Sequence, residues 1–173
     1  EYSIKHYGKD FSAILPQAIV VHWTASNSFK STYGYFNKDE YTYEKGTLNV
    51  GSQFMVDKNG DVYRIMSETD MARHSIGYNW CTIGIENVGG EKDNDDLTQK
   101  QLSANALLIK YLHKKYPTIK YVWGHYQQDV AKKTGLYKEL AEGYSNTKND
   151  PGRRFLLELK TELHDEGLQF LDL

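Results

Sequence analysis

Residues 19–24 read Ile-Val-Val-His-Trp-Thr. Three consecutive β-branched apolar residues suit a buried strand. The run delivers His22 near its C-terminal end, and an imidazole can ligate a metal or move a proton near neutral pH. A packed strand holds such a group rigidly. Two later stretches are placed to meet it: Gly124-His125, after the apolar run Ile119 to Trp123, and Lys148-Asn149-Asp150-Pro151-Gly152.

Working outward, residues 1–17 show neither helical nor strand period and predict an N-terminal arm that packs across the domain. After the first strand, Ser26 or Asn27 is placed to cap a helix through Phe29, Tyr33 and Phe36. Residues 37–49 are polar and tyrosine-rich and predict a surface loop. Val50 to Val56 and Val62 to Met66 flank Asn59-Gly60, the pair favoured where a hairpin needs positive φ. This predicts a hairpin beside the first strand. Residues 67–81 predict a loop, and Thr82 to Val88 another core strand.

Asp96 is positioned to cap the strongest helix, with Thr98 and Gln101 placed for a capping box. Leu97, Leu102, Ala106, Leu107, Ile109, Leu112 and Tyr116 mark its buried side, and Pro117 ends it. His113 on this helix reads as a partly exposed helix residue. Gln127 to Leu140 is a lysine-bearing amphipathic helix candidate broken near Gly135. Pro151 suits the first position of a last helix that turns Phe155, Leu156, Leu159 and Leu163 inward. Residues 165–173 read as a tail. The order strand, helix, hairpin, strand, helix, strand, helix predicts an α/β fold: a central mixed β-sheet flanked by helices.

A length of 173 residues fits one domain with a sizeable core, taken as 1–173 with 1–17 as the arm. Twenty-one Lys plus Arg against 23 Asp plus Glu give a net charge of −2, which supplies no basic field for nucleic acid. No apolar run approaches the roughly 18 residues of a membrane span, and no signal peptide is expected among these residues. A first residue of Glu in place of Met predicts a processed or truncated form. Cys81 is the single cysteine, so no internal disulfide can form, and it reads as a small buried hydrophobe.

The chemistry rests on two histidines that each follow a strand-like run, so that two strand ends can bring them together across about a hundred residues of chain. A catalytic zinc takes three protein ligands and keeps one place open. Asp150 is a candidate third ligand; the alternative gives His22, His125 and Asp150 separate core or capping roles. The first alternative predicts a metal-dependent hydrolase with its site at one edge of the sheet.

Several stretches, taken in order, resemble the zinc-dependent N-acetylmuramoyl-L-alanine amidases, a family that also holds peptidoglycan recognition proteins and phage lysozyme-type amidases. They are Ile19 to Ser26, with its His22-Trp23-Thr24-Ala25-Ser26; Ser52 to Met66; Ala72-Arg73-His74 followed by Thr82 to Gly89; Leu97 to Leu112; Gly124-His125; and Lys148 to Gly152. The resemblance covers roughly residues 17–164. It implies a peptidoglycan-recognition-protein-like domain in which His22, His125 and Asp150 hold one zinc. It further implies that Glu86 handles the proton of the attacking water and Lys148 stabilises the oxyanion. The substrate implied is the lactyl to L-alanine amide of peptidoglycan or muropeptides. A periplasmic, envelope or secreted location is expected, with cytoplasmic muropeptide recycling as the alternative, and a monomer is the default.

Each role has a competitor. Glu86 could orient a histidine from behind, Lys148 could be solvated, and Asp150 could cap a helix. His74 is expected in the cleft, bonding substrate or making a structural bond. Trp23, Tyr78, Asn79 and Trp80 are candidate substrate contacts, although aromatics beside strands are often core. The family's short members have a brief stretch between the second histidine and the last Lys-x-Asp, whereas here residues 126–147 form an insertion expected to wall one side of the cleft. Two other functions compete: a peptidoglycan-binding module that does not cut, and a zinc hydrolase of a related amide.

Overall fold

The computed structural model describes residues 1–172. Its strands are β1 (Ala18–Trp23), β2 (Phe54–Val56), β3 (Val62–Arg64), β4 (Thr82–Asn87), β5 (Tyr121–Gly124) and β6 (Gln169–Phe170), and its helices are α1 (Tyr2–Tyr7), α2 (Phe29–Phe36), α3 (Gln99–Lys115) and α4 (Arg153–Glu162). The strands make one mixed sheet ordered β3-β2-β4-β1-β5-β6. Only β3 runs antiparallel to its neighbour.

The alternation of side chains along β1 divides the molecule into two layers. Ile19 and Val21, with Ile83 and Ile85 of β4, face α3 and α4 and pack with Ile109, Leu112, Phe155 and Leu159. Burying each of these side chains fully contributes about 1.5–3 kcal/mol. Ala18 and Val20 face the other way, against Tyr78, Trp123 and Ala131. The residues that continue this second face are His22 and Glu86, so apolar packing at one end of the face gives way to polar chemistry at the other.

Several expectations hold. The Asn59-Gly60 turn joins β2 to β3 with Gly60 at φ 88°, α2 begins near where it was expected, and α3 carries the capping box of Thr98 and Gln101. Others are corrected. The hairpin lies beside β4 and not beside β1, because both edges of β1 are already taken, by β4 and β5. The cap of α2 is Ser28, whose side chain accepts from Ser31 N. Thr98 and not Asp96 caps α3; the Asp96 carboxylate accepts from Gly90 N and pairs with Lys58 at 2.6 Å. Leu107 points to solvent at 70% exposure, and Leu108 is buried in its stead.

The N-terminal arm contains a helix, with Tyr2, His6 and Tyr7 buried and Gly8 closing it at φ 70°. Residues 127–140 form no long helix. Two short 3-10 turns, His125–Gln127 and Val130–Thr134, stand there, the second stopping at Gly135 in the left-handed region, and five residues are too few to propagate an α-helix. Pro151 precedes the last helix, which starts at Arg153 after Gly152. The tail adds β6 to the sheet through Tyr121–Gln169 and Val122–Phe170 pairing.

Candidate metal centre

Three neighbouring parallel strands deliver the site. In the β1–β4 register His22 stands opposite Glu86. In the β1–β5 register Val21 stands opposite Gly124, so the next residue on each chain is His22 and His125. Glu86, His22 and His125 thus form a row across the carboxyl ends of β4, β1 and β5, the place where open α/β sheets bind ligands. Asp150 arrives from the segment before α4, fixed by a bond from Tyr126 N to its carbonyl at 3.0 Å.

His22 Nδ1 lies 3.0 Å from His125 Nδ1 and 3.0 Å from Asp150 Oδ2, and His125 Nδ1 lies 3.3 Å from the same oxygen. Bonds of 2.0–2.1 Å at tetrahedral angles put ligand atoms about 3.3 Å apart. The triangle is therefore the size of one face of a tetrahedral zinc or similar divalent ion, and the two nitrogens and one oxygen suit such a cation. All three residues are buried.

Charge also favours a cation. Burial, reinforced by His125, lowers the His22 pKa to about 4, so its ring is neutral at pH 7. Burial alone would raise Asp150, but hydrogen bonds with His125 and His22 hold its carboxyl well below the usual carboxylate range. Neutral imidazole and ionised carboxylate are the forms that bind metal.

Glu86 stands apart from the triangle. Burial, and then the negative charge of Asp150, push its carboxyl well above the ordinary range, while Lys148 opposes them. Its Oε2 is hidden from water and has no hydrogen-bond partner. Lys148 itself is exposed on the rim. Both residues line a cleft of about 680 Å³ that also takes in His22, His125 and Asp150.

The other candidates divide. His74 lines the cleft, but both ring nitrogens are engaged: Nδ1 is 3.0 Å from His22 Nε2, and Nε2 is 3.2 Å from Thr82 Oγ1. Burial, with His22 beside it, lowers the His74 pKa well below the usual histidine value. Trp23 reaches the cleft with 8% of its surface exposed and belongs to the helix-side core. Asn79 lines the cleft, is 1% exposed, and its Oδ1 accepts from His74 N and Ser75 N, which fixes the loop. Tyr78 is fully buried and donates to Gln128 O, and Trp80 donates to Leu136 O. These two tie the 74–81 loop to residues 128–136 and stand outside the cleft lining. His113 bonds the Ile119 carbonyl through Nδ1, as a residue of the fold.

Sequence reasoning assigned no role to Arg73 or Tyr2. Arg73, 9% exposed, lies between the rings of Tyr2 and Tyr41 at 5.3 and 4.8 Å and donates to Leu48 O and Tyr144 Oη. It ties the N-terminal segment, the 37–49 loop and the segment around Tyr144 into one cleft wall. Its position next to His74 was the only signal; nothing marked Tyr2.

Comparison with known proteins agrees with this geometry. The chain is 35% identical over 106 residues to a peptidoglycan recognition protein of Trichoplusia ni, a match spanning 57% of this chain and 58% of that relative. It is 30% identical over 103 residues to the endolysin of Escherichia phage T7, across 57% and 68% of the two chains. Among solved structures, the N-acetylmuramoyl-L-alanine amidase LysC from Clostridium intestinale URNW superposes with a TM-score of 0.60 at 24% identity, covering 91% of this chain and 92% of that one. The N-acetylmuramoyl-L-alanine amidase family model matches residues 12–153, a span that takes in every side chain of the row and the triangle, and the chain belongs to that family.

Proposed function

We propose that the chain hydrolyses the amide between the lactyl group of N-acetylmuramic acid and the L-alanine of the stem peptide, using one zinc ion held by His22, His125 and Asp150. The observation that carries this reading is the convergence of their three donor atoms, 3.0–3.3 Å apart, beside an unpartnered Glu86 oxygen in the same cleft. A zinc ion there supplies Lewis acidity, polarising a carbonyl and lowering the pKa of water to about 7.

The chain's own residues supply the proton transfers. Glu86 Oε2 takes a proton from the attacking water as its oxygen bonds to the lactyl carbonyl carbon. It then delivers that proton to the alanine nitrogen as the C–N bond breaks, giving a carboxylic acid and a free amine. Lys148 faces the cleft from the rim, and its cation stabilises negative charge on the carbonyl oxygen. Its field also lowers the Glu86 pKa, which favours the ionised form that accepts the proton.

The test is metal content together with cleavage of a defined muramyl peptide, for the parent, His22→Ala and Glu86→Gln. The expected result is about one zinc per chain in the parent and in Glu86→Gln, none in His22→Ala, and cleavage only by the parent. A zinc-loaded parent that leaves the lactyl amide intact across intact and anhydro muropeptides would overturn the assignment.

A further inference from the structure

The His22 ring has two nitrogens and the metal triangle uses only Nδ1. The other, Nε2, is 3.0 Å from His74 Nδ1. Following that contact away from the metal gives a chain of bonds whose direction is fixed at its far end. Thr82 Oγ1 donates its single proton to the Tyr78 carbonyl at 2.9 Å. Toward His74 Nε2, 3.2 Å away, the hydroxyl can then only accept, and the Thr82 carbonyl, 3.4 Å from the same nitrogen, is an acceptor by nature. His74 therefore carries its proton on Nε2, and its Nδ1 is a lone pair. A lone pair 3.0 Å from His22 Nε2 needs a proton there, which leaves the His22 Nδ1 lone pair free for the metal.

We infer that His74 is a positioning residue for the metal, the acceptor that fixes the ring orientation and tautomer of His22, and not a substrate ligand. The inference rests on the metal reading above. Two further features of the chain serve this placement. Gly84 leaves room for the ring: a Cβ on it would lie 2.8 Å from His74 Cγ. The buried Asn79 Oδ1 receives both His74 N and Ser75 N, at 2.9 and 2.7 Å, and so sets the backbone that carries the ring. The glycine of Ile83-Gly84-Ile85-Glu86 is thereby explained by the imidazole packed on it.

The test uses the full-length chain and zinc competition with a chromophoric chelator, alongside long-range ¹H–¹⁵N spectra of the histidine rings. In the metal-free parent, His22 and His74 are both expected as Nε2–H tautomers. His74→Ala is expected to weaken zinc binding about 10–100-fold, the usual loss when such a partner of a metal-binding histidine is removed. His74→Asn places an amide oxygen near the position of Nδ1 and is expected to recover most of that loss. A structural role alone would not be rescued by an acceptor at this one point. Equal zinc affinity in parent and His74→Ala overturns the inference, as does equal weakening in the Ala and Asn variants with unchanged melting temperatures. If both variants fail to fold, the parent spectra decide it: a proton on His74 Nδ1 overturns the inference. A parent that binds no zinc at all fails the metal reading instead, and the tautomers of the metal-free chain are read independently of that result.

Discussion

Glu86 is held in a place where its charge is costly. Burial and the Asp150 carboxylate raise its pKa well above the ordinary glutamate value in the metal-free fold, whereas in the unfolded chain it titrates near about 4.3. Between those two values the native state binds the extra proton, so the stability of metal-free protein falls as pH rises through that window, by up to about 1.4 kcal/mol per pH unit. Glutamine has no proton to lose. Chelator-treated Glu86→Gln is therefore expected to match the parent near pH 4.3 and to become the more stable protein by pH 7.5, read from urea midpoints at the two pH values. Parallel profiles for the two proteins would show that Glu86 is not held in its acid form. At this scale the ligands were legible and their surroundings were not. His22 and His125 each follow an apolar run, and Asp150 lies in a recognisable pattern. The burial of Glu86 Oε2, the contact of His74 Nδ1 with His22 and the Tyr2–Arg73–Tyr41 wall all arise from segments far apart in sequence, and the bond of His74 Nε2 to Thr82, eight residues on, depends on how the intervening loop folds back.

Among the elements, α3 packs its apolar side on the sheet and is bonded to it through Asn105, which donates to Asn87 Oδ1, and through Gln101. Gln101 is fully buried. Its Oε1 accepts from Thr98 N at 2.9 Å to complete the capping box, and its Nε2 donates to the carbonyls of Val56 and Val88. Gln101→Leu keeps the volume but leaves those two carbonyls without this donor and removes half of the cap. The expected cost is roughly 2–4 kcal/mol, measured by urea denaturation in one fixed metal state. A loss below about 0.5 kcal/mol would mean that water or backbone takes over these bonds. The sequence revealed α3 and the β2–β3 hairpin because each carries a strong local signal, the helical period with its cap and the Asn-Gly turn. It misread residues 127–140 because their lysine spacing imitates an amphipathic helix, while Gly135 and the packing of Ala131 impose short turns. Strand β6 has two residues, too few to show any period.

For the molecule as a whole, the row Glu86–His22–His125 exists only because β4, β1 and β5 are neighbours, and strand order is set by tertiary packing that no local pattern encodes. The hairpin was read correctly as a hairpin and yet placed against the wrong strand for this reason. The same organisation couples the metal to global stability. His22, His125 and Asp150 are separated in the chain by 103 and 25 residues, and an unfolded chain does not hold them together, so the proposed zinc would bind the native state in preference. At free zinc 1,000-fold above Kd the native state gains about 4 kcal/mol. In a chain of this size each kcal/mol moves Tm by about 2–4 °C, so zinc loading is expected to raise Tm by roughly 10 °C over chelated protein. His22→Ala should lose this shift because a ligand is gone. Glu86→Gln should keep it because the carboxylate stands outside the triangle. A shift of the same size in all three proteins would mean that zinc stabilises the chain from somewhere other than the ends of β1 and β5.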